Sequence, residues 1–309
     1  MNKPLVAVVV GPTASGKTSL GIEIAKRLDG EIVSADSMQI YKNMNIATAK
    51  PTPDELSQAK HHLIGFLDPG EEFSVAKYKE LATDAIDDIL SRGKLPVIVG
   101  GTGFYIDTII NNTEFLDYEK SDVREKLEKR AETEGIEVLY NELMQVDSET
   151  AQRLHINDVK RIIRALEVYY SVGKTISHQC EMSHLNESKY RFCVVGLTAQ
   201  DRQFLYDRIN LRVDIMLDEG LIEEAKQFFA LKLGSTAKQA IGYKELKPYL
   251  DGFVSLEDAT EKLKMETRRY AKRQLTWFRR NKEINWLSID TMDKESLYSM
   301  ACEIIKSER

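Results

Sequence analysis

The sequence predicts an α/β protein in which helices flank a parallel sheet and a mostly helical domain is inserted into the core. The apolar, β-branched run at Leu5–Val10 is typical of a parallel strand that is buried on both faces. Strand-like and helix-like segments then alternate through the first hundred residues, as in doubly wound sheets. From about residue 114 to 187 only helical patterns occur. We therefore expect a core formed by residues 1–113 and 188–309 and an insertion domain formed by residues 114–187.

The individual elements follow from apolar periodicity and from turn residues. Continuous apolar runs predict strands at Leu5–Val10, Glu31–Ala35, Pro96–Val99, Tyr190–Leu197 and Ile284–Ile289. Helical spacing predicts helices from the loop after the first strand to about Leu28 and at 75–90, 122–135, 136–146, 157–173, 201–219, 255–281 and 294–306. Ser255 with Asp258 forms a plausible capping box for the helix at 255–281. Residues 37–74, which contain several prolines, are expected to be loop-like.

Composition restricts the class of protein. The chain has 309 residues, a net charge of −6, 42% hydrophobic residues and 30% charged residues, which is ordinary for a soluble globular protein. The three cysteines share no C-x-x-C spacing, so we expect no disulfide framework, no zinc site and a reducing, cytoplasmic location. No apolar run approaches 18 residues, and residues 1–10 are interpreted as a strand, so we expect no signal peptide and no membrane partner. We expect a monomer.

A phosphate-binding loop directly follows the first strand. The stretch GPTASGKT at Gly11–Thr18 has the spacing G-x-x-x-x-G-K-[ST], with a strand before it and a helix after it. The glycines let backbone N–H groups turn toward phosphate oxygens, and the helix N-terminus adds its positive end. The candidate anion-binding residues are Gly11, Pro12, Thr13, Ala14, Ser15, Gly16, Lys17 and Thr18. The Thr18 hydroxyl is the candidate ligand for Mg²⁺. The alternative is a glycine-rich turn without a ligand.

The second acid of a nucleoside triphosphatase is missing from its usual place. Such enzymes have an apolar strand that ends in an Asp near Mg²⁺, whereas the strand PVIVGG ends at Gly100 and Gly101. The strand-end acid in this core is Asp36, in IVSADSMQIY. It is expected at the same rim of the sheet as the phosphate loop, where it could act as a general base for a second substrate. Alternatively, Asp36 is a solvated strand-end residue or a metal ligand, and small-molecule kinases also place an Asp there.

Two basic helices stand out on this acidic protein. Residues 261–283 contain nine Lys or Arg and three Glu, a local charge of +6, with aromatic residues between them. Helical spacing predicts a basic stripe on this segment, formed by Arg269, Lys272, Arg273 and Arg280. A second basic set lies in the insertion and consists of His155, Lys160, Arg161 and Arg164. Together they indicate a polyanion such as nucleic acid. A solvated amphipathic helix is the alternative for either one alone.

Seven motifs occur in an order that points to a known family. They are GPTASGKT, DSMQIYKNMNIATAKP (36–51), HHL (61–63), GGTGFY (100–105), RLHINDVKRIIRALEVYYSVGK (153–174), QAIGYKE (239–245) and RRYAKRQLTWFRR (268–280). With these motifs the sequence resembles the tRNA dimethylallyltransferase family, in the bacterial form without a C-terminal zinc-finger-like extension. The segment before QAIGYKE is short for the family. The resemblance implies a core like that of the P-loop NTPases and transfer of a dimethylallyl group from dimethylallyl diphosphate to N6 of the adenine on the 3′ side of the tRNA anticodon (A37).

The resemblance also implies roles for the site residues. The phosphate loop would hold the diphosphate of the isoprenoid donor instead of a nucleoside triphosphate, with Lys17, Thr18, Mg²⁺ and Arg212 stabilising the leaving group. Asp36 would accept the proton of the adenine amine. The extruded base would lie beside Asp36, Ser37, Met38 and Gln39, with Gln39 making paired hydrogen bonds to it, and Thr102 would line the channel between the substrates. The anticodon stem-loop would contact Arg124, Lys160, Arg161, Arg164, Arg269, Lys272 and Arg273. Arg212 and Arg124 have the alternative of being ordinary surface arginines.

Three other functions remain open at this stage. A small-molecule or nucleotide kinase would use the phosphate loop for ATP but would leave the basic helices without a role. An adenylate isopentenyltransferase, which makes a cytokinin precursor from a free nucleotide, shares the chemistry but does not need the insertion or the basic helix. A non-enzymatic RNA-binding module would not need Lys17, Thr18 and Asp36 together.

Overall fold

The computed structural model describes residues 3–115, 121–185 and 187–309. The chain divides into two compact units, one formed by residues 1–109 and 189–309 and the other by residues 110–188. We call them the core unit and the insertion unit. Within the described residues no helix is both long enough and apolar enough to span a membrane.

The core unit contains one parallel sheet, which confirms the predicted α/β class. Its strands are β1 (Leu5–Val10), β2 (Gly30–Ser34), β3 (His61–His62), β4 (Leu95–Val99), β5 (Arg191–Thr198) and β6 (Asn285–Ser288). They are arranged in the order β3-β2-β4-β1-β5-β6, and every neighbouring pair is parallel. All six residues of β1 are buried, as expected for a central strand covered on both faces.

The helices flank this sheet and form the insertion unit. In the first part of the chain they are α1 (Lys17–Arg27), α2 (Pro53–Gln58), α3 (Val75–Ser91) and α4 (Gly103–Ile110). The insertion unit contains α5 (Val123–Glu134), α6 (Ile136–Val146), α7 (Ser148–Arg153), α8 (Val159–Val172) and α9 (Ile176–Leu185). The chain continues with α10 (Arg202–Asp218), α11 (Leu221–Phe229), a short 3-10 helix (Ala237–Gln239), α12 (Tyr243–Leu250), α13 (Leu256–Phe278) and α14 (Lys294–Ser307).

Several helices and strands were not predicted, because their local sequences lack the usual pattern of a helix or strand. Residues 37–74 were expected to be loop-like but contain α2 and β3, which are six and two residues long and too short to show periodicity. Helix α4 begins within GGTGFY, where glycines normally indicate a turn. Helix α12 contains Pro248, which is normally a helix breaker.

Each unit is stabilised by hydrophobic clusters of its own. In the core unit, α1 and α14 pack against the sheet, with Leu20, Ile24 and Ile305 buried among the strand residues. In the insertion unit, α5, α6 and α8 surround a separate cluster that includes Leu139 and Leu166, both with 0% exposure. The insertion unit therefore has apolar packing of its own.

The carboxyl ends of β2, β4 and β1 lie side by side and place three motifs together. The backbone N–H of Ala35 donates to the Val99 carbonyl at 2.8 Å, and the Thr102 N–H donates to the Ala35 carbonyl at 3.1 Å. A Cβ on Gly100 would lie 2.1 Å from the Ala35 carbonyl oxygen, so the two strand ends approach closely only with glycine here. The phosphate loop, Asp36 and GGTG therefore share one edge of the sheet.

At the opposite end of the sheet, an ion cluster surrounds the buried Glu31. The Glu31 carboxylate, 4% exposed, pairs with the Arg92 guanidinium and lies 2.8 Å from His62 Nε2 and 3.4 Å from Lys60 Nζ. The hydrogen-bonded Arg92 guanidinium, opposed by burial, holds the pKa of Glu31 well below its usual range. The cluster joins β2 and β3 to the end of α3.

We expect Glu31→Gln to lower the free energy of unfolding at pH 7 by about 1–3 kcal/mol, because the charge-assisted hydrogen bonds are lost. A depressed folded-state pKa means that the wild-type advantage is complete above the unfolded pKa of glutamate, about 4.3, and shrinks as the pH falls below it. Urea denaturation from pH 7 to pH 3 measures this. Glu80→Gln, which removes a surface ion pair with Lys77, is the control and should change stability little. A constant difference between wild type and Glu31→Gln at all pH values would contradict the assignment.

Candidate active site

The phosphate loop is a tight turn between β1 and α1. Gly11 has a φ of +146°, and a Cβ there would lie 2.7 Å from the Leu197 carbonyl oxygen of the neighbouring strand. Gly16 has a φ of +91°, in the left-handed region that favours glycine, and Lys17 begins the helix. The first turn of α1 carries no acidic residue. The loop therefore presents a helix N-terminus without a negative side chain, which suits an anionic group.

Lys17, Asp36 and Arg212 face the same cavity of the core unit. The cavity has a volume of about 1070 Å³, and Thr18 also lines it. The Lys17 ammonium donates to the Pro12 carbonyl at 2.6 Å. Burial, together with the nearby Arg212 charge and against the attraction of Asp36, lowers the pKa of Lys17 to about 7. A bound anion would restore the charged form of Lys17, so the electrostatics of the cavity suit an anionic group.

Arg212 and a second arginine come from one face of α10. Burial, with repulsion from Arg208, lowers the pKa of Arg212. Arg208 lies one turn earlier, and its Nε donates to the Ala14 carbonyl of the phosphate loop at 2.9 Å. Arg212 therefore lines the cavity and is not an ordinary surface arginine. Arg208 holds the phosphate loop through the Ala14 carbonyl. Arg208 was not predicted from the sequence, although its spacing of four from Arg212 places the two on one helix face.

Asp36 lies just past the end of β2, with a turn wrapped around its carboxylate. Oδ1 accepts the Met38 N–H at 2.9 Å and the Gln39 N–H at 3.3 Å. Burial nevertheless raises the pKa of Asp36, while these two hydrogen bonds and Lys17 oppose the increase. A carboxylate with a raised pKa is a stronger proton acceptor, which is the property a general base needs.

Thr102 fastens this turn to the GGTG segment. Its Oγ1 accepts the Ser37 N–H at 3.0 Å and donates to Ser37 Oγ at 3.3 Å. Among the described residues, the cavity wall at this point is formed by Gly100 and Gly101. The position of Thr102 therefore shows a role in holding Ser37, and its place in a substrate channel stays a prediction.

Gln39 differs from the expectation in one respect. Both hydrogens of its Nε2 are directed to backbone carbonyls, those of Thr48 at 3.1 Å and Ala49 at 3.0 Å. The paired hydrogen bonds expected from the sequence would need a free amide N–H, which this conformation does not provide. Gln39 retains Oε1 as an acceptor, so it is suited to receive a hydrogen from an amino group in the cavity.

Gln274 joins the phosphate loop to α13, a role that was not predicted from the sequence. Its Oε1 accepts the Thr13 N–H at 2.8 Å, and its Nε2 donates to the Gly101 carbonyl at 3.0 Å. The side chain is 5% exposed. A Cβ on Gly101 would lie 2.2 Å from Gln274 Nε2, and one on Gly103 would lie 2.2 Å from Trp277 Cδ1. Two glycines of GGTG therefore allow α13 to pack against the loops.

The basic helix has a buried face and a charged face, as predicted. The exposed residues of α13 include Arg269, Lys272 and Arg273. Arg280 is also exposed but lies just after the helix, because α13 ends at Phe278 and not at the predicted residue 281. Arg269 pairs with Glu266 at 2.7 Å on the same helix, and the Arg280 guanidinium lies 3.8 Å from the centre of the Trp277 ring. Because Gln274 lies on the buried face, one helix connects the phosphate loop to a basic surface.

The insertion unit carries the second basic set, with His155 exposed in the loop before α8 and the other three residues on α8. Lys160, Arg161 and Arg164 are exposed. Arg161 pairs with Asp158 at 3.3 Å and Arg164 with Glu167 at 3.1 Å. Arg124 on α5 is partly buried and pairs with Glu128 at 3.1 Å and Glu167 at 3.4 Å. The RNA contacts assigned to Lys160, Arg161, Arg164 and Arg124 stay predictions.

The donor set fits a magnesium ion that arrives with a diphosphate. The described part of the chain contains no group of three or more His, Cys, Asp or Glu that could hold a metal ion. The cavity offers hard oxygen atoms from the Thr18 hydroxyl and the Asp36 carboxylate. Mg²⁺ prefers oxygen ligands and keeps several waters, usually with one or two protein ligands plus substrate phosphates. Thr18 is therefore a suitable single protein ligand.

Comparison with known proteins agrees with this geometry. The family profile described as IPP transferase matches residues 39–281, and one described as isopentenyl transferase matches residues 4–67. The chain is 51% identical over 293 residues to a tRNA dimethylallyltransferase of Acetivibrio thermocellus, covering 94% of this chain and 93% of the relative. It is 49% identical over 307 residues to one of Thermoanaerobacter sp., covering 97% and 96%.

Solved structures show the same fold. A tRNA isopentenylpyrophosphate transferase of Bacillus halodurans has a TM-score of 0.73 and 41% identity, over 99% of this chain and 98% of that one. A eukaryotic dimethylallyltransferase acting on tRNA has a TM-score of 0.82 and 30% identity, over 98% of this chain and 80% of that one. The predicted core like that of the P-loop NTPases is confirmed. From its cavity, its motifs and this similarity, the chain belongs to the tRNA dimethylallyltransferase family.

Proposed function

We propose that the protein transfers the dimethylallyl group of dimethylallyl diphosphate to N6 of the adenine on the 3′ side of the anticodon (A37) in tRNA. One observation carries the proposal: the phosphate loop, with Lys17 and Arg212, and the carboxylate of Asp36 face one cavity, so an anion site adjoins a base. The relatives named tRNA dimethylallyltransferase, and the similar structure of an enzyme acting on tRNA, support it.

The diphosphate end of the donor lies at the start of α1. Breaking the allylic C–O bond develops negative charge on the diphosphate and positive charge on the allyl carbon. The loop N–H groups, the Lys17 ammonium and the Arg212 guanidinium stabilise the diphosphate as it leaves. Mg²⁺ at Thr18, when bound, would supply further charge stabilisation to the diphosphate oxygens.

The adenine end of the reaction lies at Asp36. The exocyclic amine is a poor nucleophile because its lone pair is delocalised into the ring. As the new C–N bond forms, one amine proton passes to the Asp36 carboxylate, and the C–O bond to diphosphate breaks. Gln39 Oε1 accepts the other amine hydrogen, and Ser37 and Met38 line the same wall. The base must leave its stack to reach this position, as with other enzymes that modify bases.

The structure favours this reaction over phosphoryl transfer. At the end of β4, where a nucleoside triphosphatase has its second acid, Gly100 and Gly101 pack against Ala35 and Gln274. A side chain there would collide with the backbone carbonyl of Ala35. The acid missing here would be a ligand of the Mg²⁺ that accompanies a nucleoside triphosphate, so the cavity lacks a group that P-loop NTPases use for phosphoryl transfer.

The RNA is bound by the basic stripe of α13 and by the basic residues of the insertion unit. Exposed arginine and lysine side chains bind phosphate groups and make affinity depend on salt. The partner is the anticodon stem-loop of tRNA, and the expected location is the cytoplasm, with the protein acting as a monomer.

A single assay tests the proposal. The protein is incubated with Mg²⁺, dimethylallyl diphosphate and an anticodon stem-loop that has adenine beside the anticodon, and the product mass is measured. We expect a gain of one C5H8 unit on the stem-loop and no such gain on free AMP. Prenylated AMP would instead indicate an adenylate isopentenyltransferase, and consumption of ATP without prenylation would indicate a kinase.

We expect Asp36→Asn to lower kcat by about 10²–10⁴-fold, because the amide keeps the shape but accepts no proton. Binding of the donor should survive, as measured by equilibrium titration with dimethylallyl diphosphate. The kcat of the wild type should fall as the pH is lowered, following a single ionisation. The midpoint of this fall should lie above the ordinary Asp pKa of about 3.9, because burial raises the pKa of Asp36. The Asn variant should lack this acid-side loss. If donor binding disappears instead, Asp36 is a metal or structural ligand.

We expect Gln274→Leu to raise the KM for dimethylallyl diphosphate by about tenfold, because the Thr13 N–H and the Gly101 carbonyl lose their partner. Affinity for the stem-loop, measured directly by fluorescence anisotropy, should change little. Thr276→Ala, an exposed position on the same helix, is the matched control and should behave as wild type. An unchanged donor KM in Gln274→Leu would show that the bridge does not position the phosphate loop.

A further inference from the structure

The carboxylate of Glu224, on α11, accepts hydrogen bonds from several backbone N–H groups of one cavity loop. It accepts the N–H groups of three consecutive residues, Asn45 at 2.8 Å, Ile46 at 2.9 Å and Ala47 at 2.9 Å. The Tyr243 hydroxyl donates to the same carboxylate at 2.8 Å. Hydrogen bonds to an ionised acceptor are stronger than neutral ones. Residues 45–47 therefore have a firm anchor outside the cavity that they line.

The QAIGYKE motif has no role in the proposed reaction, but its residues hold Glu224 and the loop in place. Tyr243 is fully buried and its ring stacks on Phe228 with centroids 4.0 Å apart. Gly242 has a φ of +111°, and a Cβ there would lie 2.8 Å from Ala47 Cβ. Glu245 in turn accepts the Gly242 N–H at 2.9 Å. The motif thus orients the Tyr243 hydroxyl and leaves room for the anchored loop.

The anchored loop continues into the residues that hold Gln39. The Ala49 N–H donates to the Ile46 carbonyl at 2.9 Å, so residues 46–49 form a tight turn. The carbonyls of Thr48 and Ala49 then accept both hydrogens of Gln39 Nε2. A continuous set of hydrogen bonds therefore runs from Glu224 through the turn to the amide of Gln39.

We propose that Glu224, oriented by Tyr243, is a positioning residue for selection of the target base. By holding residues 45–49, it keeps the Gln39 amide oriented with Nε2 on the loop carbonyls and Oε1 as the acceptor. An acceptor favours the 6-amino group of adenine and disfavours a 6-carbonyl group, which is itself an acceptor. This inference rests on the proposed function, since it concerns the base side of the same cavity.

The variants Glu224→Gln and Tyr243→Phe test it, with Glu223→Gln as the matched control. Glu223 is the exposed neighbour on the same helix and pairs with Lys226 at 2.7 Å. Kinetics are measured with the adenine stem-loop and with dimethylallyl diphosphate, using a stem-loop that carries inosine at the target position as a competitor. Inosine has a carbonyl where adenine has the amino group.

We expect Glu224→Gln to raise the KM for the adenine stem-loop by about tenfold or more, because several charge-assisted hydrogen bonds are weakened. The KM for the donor should stay within about twofold of wild type. The inhibition constant of the inosine stem-loop, divided by the KM for the adenine stem-loop, should fall. The reason is that a Gln39 side chain released from the loop carbonyls can turn and donate its Nε2 hydrogen to the inosine carbonyl. Tyr243→Phe should show the same changes to a smaller extent, and Glu223→Gln should show none.

Hydrogen exchange separates this inference from the proposed function. In the absence of substrates, backbone amides of residues 45–47 should exchange faster in Glu224→Gln than in wild type or Glu223→Gln. Two results would overturn the positioning role. One is an unchanged ratio of the inosine inhibition constant to the KM for the adenine stem-loop, and the other is an equal rise of KM for the stem-loop and for dimethylallyl diphosphate. If the wild-type protein does not prenylate the adenine stem-loop, the proposed function fails, and the exchange result still reports on the anchor.

Discussion

The close approach of β2 and β4 at their carboxyl ends is the constraint on which the cavity depends. Gly100 lies against the Ala35 carbonyl with no room for a side chain, and Thr102 reaches back to the same carbonyl and to Ser37. This contact places Asp36 beside the phosphate loop that follows β1. It also leaves no room for a side chain at the strand end where a nucleoside triphosphatase keeps its second acid.

Helix α13 links the reaction site to the basic surface of the core unit. Its buried face reaches both the phosphate loop and GGTG through Gln274, while its exposed face carries Arg269, Lys272 and Arg273. The two faces follow from the helical repeat, since residues 273 and 274 point in directions about 100° apart. A helix of this kind can keep the phosphate loop and the basic surface at a constant distance from each other.

Burial gives the cavity its chemical character. Lys17 and Arg212 both have lowered pKa values and Asp36 a raised one, all caused first by burial. Charged groups held away from water without complete pairing are costly to the folded state. A bound anion would relieve this cost at Lys17 and Arg212, and a proton taken up by the carboxylate would relieve it at Asp36. Glu224 differs from these three residues, because its carboxylate oxygens accept hydrogen bonds from backbone N–H groups and from a tyrosine hydroxyl.

The parallel sheet, the phosphate loop, Asp36 and the basic stripe could be predicted from the sequence, because each of them leaves a pattern in the local spacing of residues. Other contacts arise only from packing: Gln274 meets Thr13 from 261 positions away, Arg208 donates to the Ala14 carbonyl, and Glu224 accepts the N–H groups of residues 45–47. Packing also decides the orientation of Gln39, whose amide is held by the carbonyls of Thr48 and Ala49. A glutamine or a glutamate in a helix has the same local pattern whether it faces solvent or a distant loop, and only packing brings its partner within hydrogen-bonding distance.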